Sequence, residues 1–169
     1  MPKKAVMVIA QRDFRDEELF HTKEELEKAG IAVTIASLKV GDCGGMLGGK
    51  ARAAITIDEI NPEIFNAIVF VGGTGANVFF ENFTAKRLAK EFFAKGKIVA
   101  AICIAPSILA NSGILKGKKA TSYSSESSNL KLKGAEFTGK SLEVDGRIIT
   151  ASGPQAAREF GKRISEALK

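Results

Sequence analysis

The chain has 169 residues, 45% hydrophobic and 26% charged, a balance that excludes a disordered or fibrous protein and fits one domain (1–169) with a core of its own. The formal net charge of +6 invites a nucleic-acid partner, but the basic residues are scattered and their densest cluster is KGKK at 116–119. Without a basic stripe interleaved with aromatic residues, nucleic acid is not the expected partner.

The opening MPKKAVMVIA is basic and then apolar, as a signal peptide is. Its apolar part, 5–10, is short and runs into charged QRDFRDEE with no small-residue cleavage site, so it is read as a first buried strand. No apolar run is long enough to span a bilayer, and no membrane is expected. The two cysteines, Cys43 and Cys103, are too few for a disulfide scaffold, which points to a reducing cytoplasm. With the single histidine, His21, they do not make a closed zinc set, and no metal or cofactor is expected.

In chain order, residues 16–29 predict a helix closed by Gly30, and 31–37 a second strand. Residues 41–49, with Cys43 in GDCGG, read as a glycine-rich loop, followed by a short strand over 53–57 and a capped turn at 61–65 with Pro62 at its first position. Residues 67–71 predict a strong buried strand, 76–95 a helical region, 98–103 another buried strand, and 105–112 a helix ended by Gly113. After an extended stretch at 119–123, the polar SSESSNLKLKG at 124–134 reads as a surface loop. Asp145-Gly146 marks a hairpin between 141–144 and 147–150, and 154–168 a terminal helix. Apolar strands alternating with helices imply an α/β sandwich, its mostly parallel sheet covered on both faces, with ligands beyond the carboxyl ends of the strands.

Three segments meet at that edge. Cys103 ends the run IVAAIC and precedes the helical IAPSILANSGI. A cysteine at such a strand-to-helix turn faces free N–H groups and a partial positive charge that favour thiolate, although a buried structural cysteine fits the same placement. GGTG at 72–75 allows close backbone approach, so N–H groups around Gly72 and Gly73 can face an oxyanion beside Cys103; a plain tight turn is the alternative. A phosphate loop is also open, but no Lys-Ser/Thr pair follows. The acidic helix start Asp16-Glu17-Glu18 complements the helix dipole whether or not it does more. Glu18 lies on the flank of the face set by Leu19 and Leu26. Turned toward the cleft, it would have a raised pKa and could donate a hydrogen bond to sulfur.

FRDEEL at 14–19, FVGGTGA at 70–76, AICIAP at 101–106, GILKGKKATSY at 113–123 and ITASGP at 149–154 together resemble the ThiJ/PfpI family, which includes PfpI-type intracellular proteases and the parkinsonism-associated protein deglycase. The resemblance runs the length of the chain. It implies a flavodoxin-like fold with a small β-hairpin near the C-terminus, assembled into a homodimer or higher homo-oligomer. It further implies that Cys103 is the nucleophilic, oxidation-prone cysteine, that Glu18 hydrogen-bonds it, and that Gly72, Gly73 and the backbone of Ile104 bind an oxyanion. Tyr123 and Ser152 fall near the pocket.

One position departs from the pattern. PfpI-type members carry histidine after the cysteine, where this chain has Ile104, so no adjacent Cys–His pair stands ready for acyl transfer. His21, one turn after Glu18, is read as a surface or interface residue. The expected function is a cysteine-dependent enzyme of glyoxalase or deglycase type that acts on a small aldehyde. The alternatives are a peptidase or amidase acting on peptides, and a non-enzymatic redox sensor or chaperone that oxidises at Cys103.

Overall fold

A computed structural model describes residues 2–169. The first run becomes strand β1 (Lys4–Val8), buried on both sides from Ala5 onward: Val6 and Val8 face one core, and Met7 with Ile9 just past the strand the other. Two more strands are buried on both faces, β7 (Ala67–Phe70) beside β1 and β8 (Ile98–Ile102) beyond β7. Such continuous apolar runs are what a parallel sheet covered on both faces requires.

The remaining strands are β2 (Arg12–Phe14), β3 (Ala32–Ser37), β4 (Gly41–Gly45), β5 (Lys50–Ala53), β6 (Ile55–Thr56), β9 (Lys119–Ala120), β10 (Glu136–Phe137), β11 (Leu142–Asp145) and β12 (Ile148–Ala151). Seven strands form the central sheet in the order β11-β12-β8-β7-β1-β3-β6, parallel except for the edge strand β11. The predicted C-terminal hairpin is therefore built into this sheet through β12. Helices α1 (Asp16–Lys28) and α5 (Ala157–Ala167) cover one face, with Leu19, Leu26, Phe160 and Ile164 in its core. On the other face, α2 (Phe83–Ala94) and α3 (Pro106–Ser112) bury Leu88, Phe92 and Ile108, and α4 (Ser127–Leu132) adds Leu130. This is the α/β, mostly parallel, flavodoxin-like arrangement expected.

Several local expectations are corrected. The 41–49 loop is a hairpin of β4 and β5, joined to β2 in a small second sheet. Asp16 holds its turn by accepting the N–H groups of Leu47 (2.8 Å) and Gly49 (2.7 Å). The polar stretch at 124–134 is not simply loop, because a 3-10 turn leads into α4. Asn129 donates to Ser107 (3.1 Å) and Asn111 (3.0 Å), and Ser107 to Glu126 (2.6 Å), tying this segment to α3. The helical stretch 76–95 is split, since Asn82 accepts the Ala85 N–H and starts α2 afresh. Asp145 pairs with Ile148, so the hairpin turn is Gly146-Arg147, with Gly146 at φ +61°. Among the described residues, no helix is long and apolar enough to cross a membrane.

Candidate functional site

Beyond the carboxyl ends of β1, β7 and β8 the three expected segments converge. The link between the first two is backbone on backbone: Arg15 N–H donates to Gly72 O (2.9 Å). A Cβ on Gly73, which sits at φ +102°, would lie 2.3 Å from Arg15 N and 2.5 Å from Asp13 O. These glycines are therefore required by the close approach of 12–15, whatever they offer a ligand.

Gly72 is placed still more tightly. A Cβ there would meet Glu18 Oε1 at 2.5 Å and Cys103 Cβ at 2.6 Å, so its hydrogen leaves the space in which carboxyl and cysteine come together. Cys103 itself has φ +65°, in the left-handed region that costs a side-chain-bearing residue about 1–3 kcal/mol. Its peptide is tied on both sides, the N–H to Ala151 O (2.9 Å) and the carbonyl to Tyr123 N–H (2.7 Å). Strand β12 and the 121–123 stretch thus hold the turn that raises the sulfur toward solvent. The residue is only 9% exposed.

Glu18 is fully buried, at 0% exposure, so its carboxyl is not simply a solvated complement to the helix dipole. Neither carboxyl oxygen has a partner in full hydrogen-bond geometry among the described residues. Burial pushes its pKa up to about 7, against the opposing pull of the Cys103 thiol and the Gly72 N–H.

The thiol departs from the expectation of a readily formed thiolate. Burial above all, and then the negative charge of Glu18, push Cys103 up to about 12, while the N–H groups of Gly73 and Ile104 pull it down. The turn's N–H groups are present as expected, but desolvation and the nearby carboxylate outweigh them. The two groups titrate as a pair that gives up one proton near neutrality and holds the second tightly.

The sulfur opens on a cleft of about 420 Å³ that Arg15, Met46, Thr74, Ile104, Tyr123 and Ser125 help to line. Tyr123 is 51% exposed at its mouth. Ser152 lies outside it, in an adjacent depression that also contains Tyr123 and Gln155. His21 lines another depression, with Glu17 and Arg158, and not the Cys103 cleft. Cys43 is buried in β4, its sulfur 3.5 Å from Gln11 Nε2 and away from the cleft. Arg15 was not singled out from the sequence. It is the basic side chain at the cleft, paired with Glu17 at 2.9 Å, and its place just before the helix that carries Glu18 was the available signal. Among the described residues, no three His, Cys, Asp or Glu side chains gather as a metal set.

A cysteine raised on a strand-to-helix turn above a parallel sheet, with a buried carboxyl behind it, defines a flavodoxin-like α/β protein of the cysteine-elbow type. The sequence model of the DJ-1/PfpI family matches residues 3–167, and the chain belongs to that family. It is 45% identical to an uncharacterized protein of Methanocaldococcus jannaschii, over 98% of this chain and 82% of that one. It is 34% identical to the protein named deglycase PfpI of Pyrococcus furiosus, over 97% of this chain and 99% of that one. The crystal structure of a ThiJ/PfpI domain protein from Brachyspira murdochii superposes with a TM-score of 0.97 at 31% identity, covering 99% of this chain and 98% of that one.

Proposed function

We propose that this chain is a cysteine-dependent enzyme of glyoxalase or deglycase type, acting on reactive carbonyl compounds through Cys103 with Glu18 as its proton partner. The observation that carries the reading is the fully buried, unpartnered carboxyl of Glu18 against a strained cysteine at an open cleft. Relatives named deglycases support the same class.

The geometry supports a short reaction sequence. A carboxyl that titrates near 7 takes up and returns protons efficiently at neutral pH. Ionised Glu18 accepts the thiol proton as sulfur adds to the aldehyde carbon, and the S–C bond forms. The former carbonyl oxygen gains charge beside the Gly73 and Ile104 N–H groups, then receives the proton from Glu18 to give a hemithioacetal. With a 2-oxoaldehyde, Glu18 takes the proton from the sulfur-bearing carbon to give an enediol and returns it to the neighbouring carbon. The hydroxyl proton passes to that carbon's oxygen, leaving a thioester. Water then cleaves the resulting thioester to a 2-hydroxy acid and the free thiol. The net change is addition of one water, and no cofactor is consumed.

Amide cleavage is less well served. Ile104 replaces the imidazole that would protonate a leaving amine, and His21 lies in a separate depression. The reading places the enzyme in the cytoplasm as a homodimer or larger homo-oligomer, and a single monomeric boundary in sedimentation would refute that assembly. The central test is conversion of methylglyoxal to lactate by purified protein without cofactor. Turnover should vanish in Cys103→Ser and fall by about 100-fold or more in Glu18→Gln. Equal rates for wild type and Cys103→Ser would overturn the proposal.

A further inference from the structure

We infer that Arg15 makes this cleft selective for carbonyl substrates that carry a carboxylate, specifically 2-oxoaldehydes with a terminal carboxylate group. The inference rests on the carbonyl-directed reading above and names its substrate class.

Arg15 stands at the cleft that Cys103 opens into, and the other residues lining it carry no positive charge. Its backbone is fixed by the bond from its N–H to Gly72 O, and its side chain is 30% exposed, so the guanidinium is neither buried nor free to wander. Glu17 takes two of its nitrogens, Nε at 2.9 Å and one Nη at 3.2 Å. The remaining nitrogen, Nη1, has no protein partner among the described residues. A guanidinium so oriented presents a planar donor edge suited to a second carboxylate. Arg15, with Pro154 and Gln155, lines both the Cys103 cleft and the neighbouring depression. A carboxylate on a short chain beyond the reacting carbonyl would share the cleft of about 420 Å³ with this guanidinium.

The chemistry at sulfur is unchanged by such a substrate. A 2-oxoaldehyde bearing a terminal carboxylate takes up one water and becomes a 2-hydroxy dicarboxylate. The charged end contributes binding and orientation and takes no part in bond exchange.

Two measurements test this separately from the enzymatic reading. The first compares iodoacetate with iodoacetamide, reagents of nearly equal size that differ by one charge, with alkylation at Cys103 followed by mass spectrometry. The ratio of the two rates cancels any change in thiolate population and reads the local charge alone. It should fall by about tenfold in Arg15→Gln and less in Arg15→Lys. The double variant Arg15→Gln/Glu17→Gln must show the same fall, because otherwise the effect comes from uncovering Glu17. The second compares kcat/KM for 4,5-dioxopentanoate with that for methylglyoxal, and the ratio should drop by about tenfold or more in Arg15→Gln. Unchanged ratios in both experiments overturn the inference and leave methylglyoxal turnover standing. If wild type turns over neither compound while the alkylation ratio behaves as expected, the enzymatic reading fails and the anion-selective cleft remains.

Discussion

Replacing Glu18 by glutamine should remove a loss of stability that the wild-type chain suffers as pH rises toward 8. In the folded chain the carboxyl titrates at about 7 because it is buried, against an ordinary value of 4.5. Between those two values the folded state keeps a proton that the unfolded state releases, so folding stability falls as pH rises through this window and stays reduced above it. At 1.36 kcal/mol per pKa unit, the shift corresponds to about 3 kcal/mol by pH 8. Cys103 adds nothing to this window, because its thiol stays protonated well above neutrality. The glutamine amide cannot ionise, so the variant escapes the loss, although burying that amide adds a contribution that does not vary with pH. The assay is denaturant unfolding of both proteins from pH 4 to pH 8. The stability of Glu18→Gln relative to wild type should climb by up to about 3 kcal/mol across that range, and other titrating groups cancel in the difference. A flat difference, or one that favours wild type increasingly with pH, would refute a buried Glu18 that holds its proton up to about pH 7. Lost turnover together with gained stability would mark the carboxyl as a functional group kept at a cost to the fold.

Two further substitutions test the surrounding geometry. Gly72→Ala would drive a methyl group into Glu18 Oε1 and Cys103 Cβ; it should cost about 1–3 kcal/mol in thermal or denaturant unfolding and slow Cys103 alkylation, whereas native alkylation kinetics would show that the carboxyl and thiol are not so closely confined. Asp16→Ala removes the acceptor for the Leu47 and Gly49 N–H groups, with an expected loss of about 2–4 kcal/mol, and faster hydrogen exchange at those two amides than in wild type is the direct readout.

Much of this architecture was legible along the chain because it depends on local pattern. The runs at 5–10, 67–71 and 98–103 are apolar on both sides, and only a strand covered on both faces satisfies them. The turn at Cys103 follows, since a buried strand passes directly into a helix. The β4–β5 hairpin was not legible. GDCGG has no alternation of apolar and polar residues, and its strand character comes from pairing with Lys50–Ala53 and from the hold of Asp16. Helix α4 was hidden for a related reason. Its sequence is polar, and its anchors are Leu130 in the core and side-chain bonds to residues of α3 some 20 positions away.

The sequence by itself determined the buried strands of the sheet, the strand-to-helix turn at Cys103, the glycines opposite it, and the absence of an adjacent histidine. Tertiary structure alone decided the environment of the pair. Acidic residues at a helix start are equally at home in water or in a core, and only the docking of 12–15 onto Gly72 and Gly73 turned Glu18 inward. That burial also reversed the expected direction for the thiol. A turn's N–H groups can be inferred from sequence neighbours, whereas desolvation and the charge of a residue 85 positions away exist only once the chain has folded.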